Sequence, residues 1–145
     1  MNLETSAPGG VIYRDNLWVL EHAIEPVPMA GWLILKPVRH VEAFADLTPK
    51  EAESFGPLVC SATLAMTEVL NPVKVYLSMY MEAEGFAHLH VHLIPRFEET
   101  PAERRGPHVF EYLRDASQSG ENQADVGQAT EVAAAIRVRM NTPNS

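Results

Sequence analysis

Three of the six histidines in this 145-residue chain stand at alternate positions, His88, His90 and His92, with the apolar Leu89 and Val91 between them. A repeat of two residues is that of a β-strand, whose side chains at positions i, i+2 and i+4 point to the same face. In an α-helix the same three side chains would be spread around most of the circumference. We therefore expect the three imidazole rings to form a row on one face of a strand.

Such a row can bind a metal ion, can be structural, or can carry out catalysis. Neighbouring histidines on a strand lie about 6.6 Å apart and the outer two about 13 Å apart, at ~3.3 Å per residue. Two of them could chelate an ion, but three do not readily converge on one zinc ion at Zn–N distances of about 2.1 Å. Three successive histidines on one face, with apolar residues on the other, also disfavour a purely structural role. The pattern predicts a catalytic row without a bound metal.

The catalysis best suited to this row is nucleophilic attack on phosphorus. The pKa of free imidazole is about 6.5, so much of it is unprotonated and nucleophilic at neutral pH. Flanking imidazoles can hold the attacking ring, bind phosphate oxygens when they are cationic, and return a proton to a leaving group. The central ring has such a neighbour on each side. We therefore predict His90 as the nucleophile, with His88 and His92 as its supports.

The histidines are preceded by one long predicted helix. Thr48 can cap it, Pro49 suits its first position, and Glu51 completes a capping box, while Asn71 and the proline after it end the helix. Apolar residues at spacings of three and four then form one buried stripe. The only cysteine, Cys60, falls within this helix, and we expect it to be a small core residue.

Five runs of strand-forming residues complete the predicted fold, at residues 11–14, 17–21, 31–36, 73–81 and 87–94. Two weaker helical stretches follow, at about residues 107–116 and 125–140. This order indicates an α+β fold with an antiparallel sheet of about five strands flanked by helices. We expect residues 1–10 to be a flexible N-terminal tail, residues 11–116 the folded domain, and residues 117–145 a C-terminal linker and helix.

The composition restricts the classes of function. Hydrophobic residues make up 46% of the chain and charged residues 21%, as in an ordinary globular protein. The formal net charge of −8 argues against a broad nucleic-acid interface, which needs a clustered basic face. A single cysteine excludes a disulfide framework. No apolar run approaches the ~18 residues of a spanning helix, and the first ten residues lack a secretory pattern. We expect a cytoplasmic protein that does not bind membranes or nucleic acids.

The run from His88 to Ile94 resembles the signature of the histidine triad (HIT) family, His-x-His-x-His followed by two apolar residues. The resemblance extends over most of residues 11–97. It includes the strand after Gly31, the basic stretch 36–40 that ends in histidine, and the Asp46-Leu47-Thr48 helix start.

This resemblance implies a HIT-like domain, paired as a homodimer, that cleaves nucleotidyl conjugates at the α-phosphorus. Diadenosine polyphosphates and nucleoside phosphoramidates are such conjugates. The resemblance also implies that His90 forms a nucleotidyl-histidine intermediate, and that His88 and His92 orient this ring and bind or protonate the phosphate groups. Related transferases tend to carry glutamine at the third position, so the histidine at position 92 favours hydrolysis. No cofactor is implied, apart from Mg²⁺ that accompanies the substrate.

The residues that would bind the rest of the substrate are Arg96, Trp32 and Tyr80. Arg96 is the fixed positive charge nearest to the histidines in sequence, and we predict that it lies near a phosphate oxygen. Trp32 stands where many relatives have a histidine, and it could stack on a base. Tyr80 falls near the position of a polar residue that commonly contacts the ribose.

Two other hypotheses stay open beside the hydrolase. Residues 84–87 lack the Gly-Gln-Ser/Thr segment that relatives often carry before the triad. This departure supports a nucleotide-binding regulatory module with little turnover. The other hypothesis is a histidine-rich metal-binding protein.

Overall fold

The computed structural model describes residues 6–82 and 84–141. The other residues of the predicted tail, 1–5, and the last four residues lie outside the described part. The predicted α+β fold is confirmed. The strands are β1 (Val11–Arg14), β2 (Trp18–His22), β3 (Leu33–Pro37), β4 (Lys74–Ser78) and β5 (Val91–Arg96), and the helices are α1 (Pro49–Leu70), α2 (Phe110–Ser119) and α3 (Val126–Asn141).

The five strands form one antiparallel sheet in the order β1-β2-β3-β5-β4. The last strand in the sequence, β5, therefore lies between β3 and β4. In this register His92 is opposite Ile34 on one side and opposite Ser78 on the other. The third histidine of the motif thus lies in the interior of the sheet, with a strand on each side.

Helix α1 begins where the capping box predicts. The Thr48 hydroxyl accepts a hydrogen bond from the Glu51 backbone at 3.2 Å, and the Glu51 carboxylate accepts one from the Thr48 backbone at 2.8 Å. These two bonds satisfy amide groups that have no partner inside the helix. The helix ends at Asn71, whose φ of 50° is left-handed. Cys60 is exposed, so its predicted place in the core is wrong; it lies next to the buried Val59 but on the solvent side of the stripe.

The two faces of the sheet have separate apolar cores. On one face, α1 and α3 cover side chains such as Leu33, Leu35 and Leu93. On the other face, the smaller core includes Trp32 and Ile94, with apolar residues of α2 packed against it. Because side chains alternate along a strand, His92 shares this second face with Ile94. His92 therefore lies on the sheet face against which α2 packs.

Helix α3 is fastened to the start of the described chain. The Arg137 guanidinium donates hydrogen bonds to the backbone carbonyls of Val11, at 2.8 Å, and Gly9. Gly9 has a φ of +79°, and a Cβ added there would lie 2.8 Å from the Cβ of Ala133. Residues 9–11 and α3 therefore form one packed unit. No helix in the described ranges is long and apolar enough to cross a membrane.

Candidate active site

The three histidines do not share one strand. Only His92 lies in β5, while His88 and His90 precede it. The rings of His90 and His92 are 5.0 Å apart at an interplanar angle of 75°, and the His88 ring instead stacks on His40 at 5.0 Å and 16°. The predicted row along a single strand is therefore wrong in its first two members. The physical reason is that the backbone before Val91 bonds to the loop after β3 instead of continuing the sheet.

His88 forms the main link to that loop. Its Nδ1 accepts a hydrogen bond from the Val41 backbone N–H at 3.1 Å, and its Nε2 lies 3.0 Å from the Pro37 carbonyl oxygen. Since a carbonyl oxygen only accepts, the ring proton must be on Nε2. The backbone N–H of Leu89 adds a third bond, to the Val41 carbonyl at 2.6 Å. Both nitrogens of His88 are thus occupied by backbone groups, and the ring holds the segment in place.

His90 has one occupied and one open ring nitrogen. Its Nδ1 lies 2.8 Å from the carbonyl oxygen of His88, so Nδ1 carries the proton and donates it. In neutral imidazole the second nitrogen, Nε2, then has a lone pair. Within the part of the chain that the structure describes, this Nε2 has no hydrogen-bond partner. The central histidine therefore presents an oriented nucleophilic nitrogen.

His92 is held in the opposite tautomer. It is 8% exposed, and its Nδ1 lies 3.0 Å from the indole nitrogen of Trp32. An indole N–H only donates, so Nδ1 accepts and the proton of the neutral ring lies on Nε2. Burial, and secondly the charge on neighbouring His90, lowers the pKa of His92 to about 4. At neutral pH the third histidine is therefore an uncharged N–H donor beside His90.

Trp32 does not face solvent. It is fully buried, and its ring meets the rings of Phe110 and His92 edge-on at centroid distances of 5.4 and 5.7 Å. The prediction that Trp32 stacks on a base is therefore wrong, because Phe110 at the start of α2 covers it. The contact between Trp32 and Phe110 joins residues almost eighty positions apart, so the local sequence around Trp32 does not predict it.

A buried histidine outside the motif anchors the loop that leads to Trp32. The Nε2 of His22 accepts a hydrogen bond from the Gly31 backbone at 2.8 Å, and its Nδ1 donates to the Ala23 carbonyl at 3.0 Å. Burial lowers the pKa of His22. Gly31 has a φ of +93°, and a Cβ added there would lie 2.7 Å from the side chain of Leu70. This loop fixes the residue that contacts His92.

Arg96 and Tyr80 differ in their distance from the histidines. Arg96 is the last residue of β5, four positions after His92, which is about 13 Å at ~3.3 Å per residue. By alternation along β5 its side chain shares the sheet face of His92, and its place near a phosphate oxygen stays a prediction. Tyr80 is 59% exposed, and its ring lies 5.4 Å from that of Phe110, which in turn lies 5.1 Å from the ring of His92. Tyr80 therefore lies at the rim of the site.

An ion pair that the sequence did not predict lies on the same sheet face as His92. The Lys36 ammonium lies 2.8 Å from the carboxylate of Glu21, whose side chain is almost fully buried. Lys36 follows Leu35, which pairs with Val91, and by alternation along β3 its side chain points to the sheet face that carries His92. The detectable signal was a lysine at a position that, by alternation from Trp32 and Ile34, faces the site.

A cavity of about 1010 Å³ lies elsewhere, between α2, α3 and the end of α1. It contains none of the three histidines, and four carboxylates line it, from Glu99, Asp115, Asp125 and Glu131. Arg104 also lines the cavity but is paired with Asp115 at 2.7 Å, so the lining stays net acidic and disfavours phosphate. Within residues 6–82 and 84–141, no group of three or more His, Cys, Asp or Glu side chains is arranged to hold a metal ion.

Several solved structures share this fold at low sequence identity. A histidine triad protein from Bradyrhizobium japonicum is 19% identical with a TM-score of 0.68, and the match covers 90% of this chain and 89% of that one. A HIT-like protein involved in cell-cycle regulation from Bartonella henselae is 18% identical with a TM-score of 0.65, over 91% and 87% of the two chains. The diadenosine triphosphate hydrolase of Plasmodium falciparum is 16% identical with a TM-score of 0.62, over 90% and 76%.

None of the curated proteins matches this sequence. The family model for the HIT domain matches residues 4–99, which contain the five strands, α1 and all three histidines. The match covers most of the chain, and the fold and the antiparallel sheet agree with it. The chain belongs to the histidine triad family of HIT-domain proteins.

Proposed function

We propose that this protein is a hydrolase that cleaves nucleotidyl conjugates at the α-phosphorus through a nucleotidyl-histidine intermediate on His90. The observation that carries the proposal is the hydrogen bond from His90 Nδ1 to the His88 carbonyl at 2.8 Å. This bond fixes the tautomer in which the free Nε2 has the lone pair. It also stabilises the positive charge that the ring acquires when Nε2 forms a bond to phosphorus.

The first step is the transfer of the nucleotidyl group to the protein. The lone pair of His90 Nε2 forms the P–N bond, and the bond from phosphorus to the leaving group breaks, with its electron pair going to the leaving group. In the second step water forms a P–O bond, the P–N bond breaks, and His90 returns to its neutral form. One proton of the water is released to solvent, and the product is a nucleoside monophosphate.

Two groups on the sheet face of His92 are suited to the charge on the non-bridging oxygens. The Nε2–H of His92 is a neutral donor held by the Trp32 contact. Lys36 supplies a cation on the same sheet face, with an ammonium that is part-exposed and tied to Glu21. Fixed donors in a partly dry site stabilise such charge well, because they need no reorientation during the reaction. Arg96, at the end of β5, stays a predicted ligand of a phosphate oxygen farther along the substrate.

His88 is a positioning residue in this proposal. Its two nitrogens bond to backbone groups of the loop after β3, so it does not offer a free N–H to phosphate. Tyr80 is available at the rim for the ribose or base. In this proposal the small-molecule partner is a nucleotide and the protein needs no cofactor. Mg²⁺ enters only when it is bound to the substrate.

One structural relative has an activity of this reaction class. The Plasmodium falciparum protein is a diadenosine triphosphate hydrolase. Because it is only 16% identical to this chain, the similarity supports a shared fold and does not by itself support a shared activity. Hydrolysis by this chain is therefore inferred from its own three histidines and the hydrogen bonds that orient them.

The decisive experiment is to trap the intermediate. The protein is mixed with a diadenosine polyphosphate, quenched within milliseconds to seconds, and digested for mass spectrometry under conditions that preserve phosphohistidine. We expect an adenylyl group on His90 alone. His90→Ala should lose at least a thousandfold in kcat, and His90→Gly should regain part of it with added imidazole. The matched control is His108→Ala, which changes an exposed histidine near α2 and should keep full activity. An unmodified His90 during turnover would contradict the proposal.

A nucleotide-binding module with little turnover is the second candidate. The observation that favours it is the segment before the triad, where Glu84, Gly85 and Phe86 are all exposed and offer no hydroxyl or side-chain amide to a phosphate. Tight nucleotide binding by calorimetry, with no turnover of polyphosphates or phosphoramidates, would favour this candidate over the hydrolase.

We also propose that two copies of the chain pair through β4 and α1. Strand β4 is at the edge of the sheet, where unpaired backbone groups can bind another strand. Leu77 on β4 is 49% exposed and Leu64 on α1 is 54% exposed. Light scattering at several protein concentrations tests the pairing, and a monomer at all of them would refute it.

We also propose that the protein is cytoplasmic, and cell fractionation tests this location.

A further inference from the structure

The partner of His92 determines what that histidine can do in the reaction. In an imidazolium ion both ring nitrogens carry protons and both donate hydrogen bonds. The Nδ1 of His92 faces the indole N–H of Trp32 at 3.0 Å, inside the core. A proton on Nδ1 would set two donors against each other and leave both without an acceptor. A buried donor without a partner is costly, by about 1–3 kcal/mol.

No other group around His92 favours its protonation. Its neighbours are Trp32 on β3, Phe110 on α2, and Ile34 and Ser78 opposite it on the adjoining strands. Burial lowers the pKa of His92 most strongly, and a charge on His90 opposes a second charge on His92 and lowers it further. No carboxylate of the described residues bonds to the ring. The third histidine is therefore held neutral by geometry as well as by burial.

A neutral His92 can donate a hydrogen bond from Nε2 but cannot act as a strong acid toward a leaving group. Two kinds of leaving group then differ. A phosphate or polyphosphate departs as a stable anion and takes only an electron pair. An amine must receive a proton as the P–N bond of the substrate breaks, and the protein would have to supply it. His90 Nδ1–H faces the His88 carbonyl, and Lys36 Nζ is bonded to Glu21.

We infer that Trp32 is a positioning residue that locks His92 as a neutral Nε2–H donor, and that the protein thereby prefers substrates with a phosphate leaving group over phosphoramidates. The inference rests on the proposed hydrolase function and narrows its substrate class. The P–O bond to the outgoing phosphate breaks with its electron pair, and no proton leaves His92. The hydrogen bond from His92 Nε2 stays on a phosphate oxygen throughout.

The first test uses the unmodified protein. Nitrogen-15 NMR of the histidine rings gives the tautomer directly, and we expect protonated Nε2 and unprotonated Nδ1 on His92 from pH 5 to 8. In parallel, kcat/KM is measured for diadenosine triphosphate and for adenosine phosphoramidate. We expect the triphosphate to be favoured at least a hundredfold. A protonated Nδ1, or equal use of the two substrates, would overturn the inference.

The second test removes the indole N–H. Trp32→Phe keeps an aromatic ring but frees Nδ1 of His92, so the ring can be protonated below pH 6. We expect the ratio of the two kcat/KM values to shift at least tenfold toward the phosphoramidate at pH 5.5, with a raised pKa of His92 in the NMR titration. The matched control is Trp18→Phe, which removes another buried indole N–H, bonded to Ser54 at 2.9 Å, and should leave the ratio unchanged.

The tests distinguish the two levels of the proposal. Absence of turnover with both substrates would refute the hydrolase and the substrate preference together. Turnover of both with no preference would refute only the inference. An unchanged ratio in a folded Trp32→Phe variant would show that the indole N–H does not position His92. If that variant does not fold, the NMR and kinetic measurements on the unmodified protein decide the inference alone.

Discussion

Lowering the pH from 7 to 5 should destabilise this protein through its buried neutral histidines. His92 has a folded-state pKa of about 4 and an unfolded-state pKa of about 6.5. Because the folded value is the lower one, the unfolded chain binds more protons, and stability falls as the pH falls. The contribution is fully present above about pH 6.5 and decreases from there down to about pH 4.

The magnitude follows from the shift. Each pKa unit corresponds to 1.36 kcal/mol, so His92 contributes about 2 kcal/mol of the loss between pH 7 and pH 5 and about 3 kcal/mol by pH 4. His22 acts in the same direction, since burial lowers its pKa as well. A loss of this size is a large fraction of the 5–15 kcal/mol by which ordinary domains are stable.

The assay is urea unfolding at pH 7, 6 and 5 for the unmodified protein and for His92→Asn. Asparagine can accept the Trp32 hydrogen bond but does not titrate, so the pH dependence should be shallower by about 2 kcal/mol. His108→Asn, at an exposed position, is the matched control and should keep the original slope. If His92→Asn loses as much stability between pH 7 and 5 as the unmodified protein, the buried neutral histidine is not the cause.

Three further outcomes are expected. Gly31→Ala should lower the free energy of unfolding by about 1–3 kcal/mol, because its backbone is left-handed and the new Cβ meets Leu70; an unchanged thermal midpoint would contradict this. Arg137→Ala should cost about 1–3 kcal/mol by leaving two carbonyls near β1 without their charged donor, whereas Arg139→Ala, at an exposed ion pair, should cost at most about 1 kcal/mol in the same urea titration. Activity on a substrate that needs no Mg²⁺ should be unchanged by EDTA; its loss, restored by zinc, would favour a metal site instead.

The parts of this fold that local sequence determines were predictable. The capping box of α1 requires only Thr48 and Glu51, three residues apart, and it forms as expected. The strands around the histidines follow from short apolar runs. The central role of His90 is a prediction from its place between two other histidines, and its hydrogen bond to the preceding carbonyl gives that prediction a structural basis.

The parts that long-range contacts determine were not predictable. The period of two predicted a straight row, but His88 bonds to a loop 47 and 51 residues before it, and the chain leaves the sheet there. We expected Trp32 to be able to stack on a base, because the residues around it do not predict its contact with Phe110. Lys36 shares a sheet face with His92 because β5 pairs with β3 as well as with β4. Local sequence does not predict that pairing.

The insertion of β5 between β3 and β4 has a consequence for how the protein gains and loses its activity. The bonds that orient His88 and His92 join residues 47 to 60 positions apart in the chain, and closing such long loops costs entropy before any contact is gained. The arrangement of the three histidines therefore cannot exist in a partly assembled sheet. Activity should return late in refolding, and detachment of one central strand should abolish it while the helices are still formed.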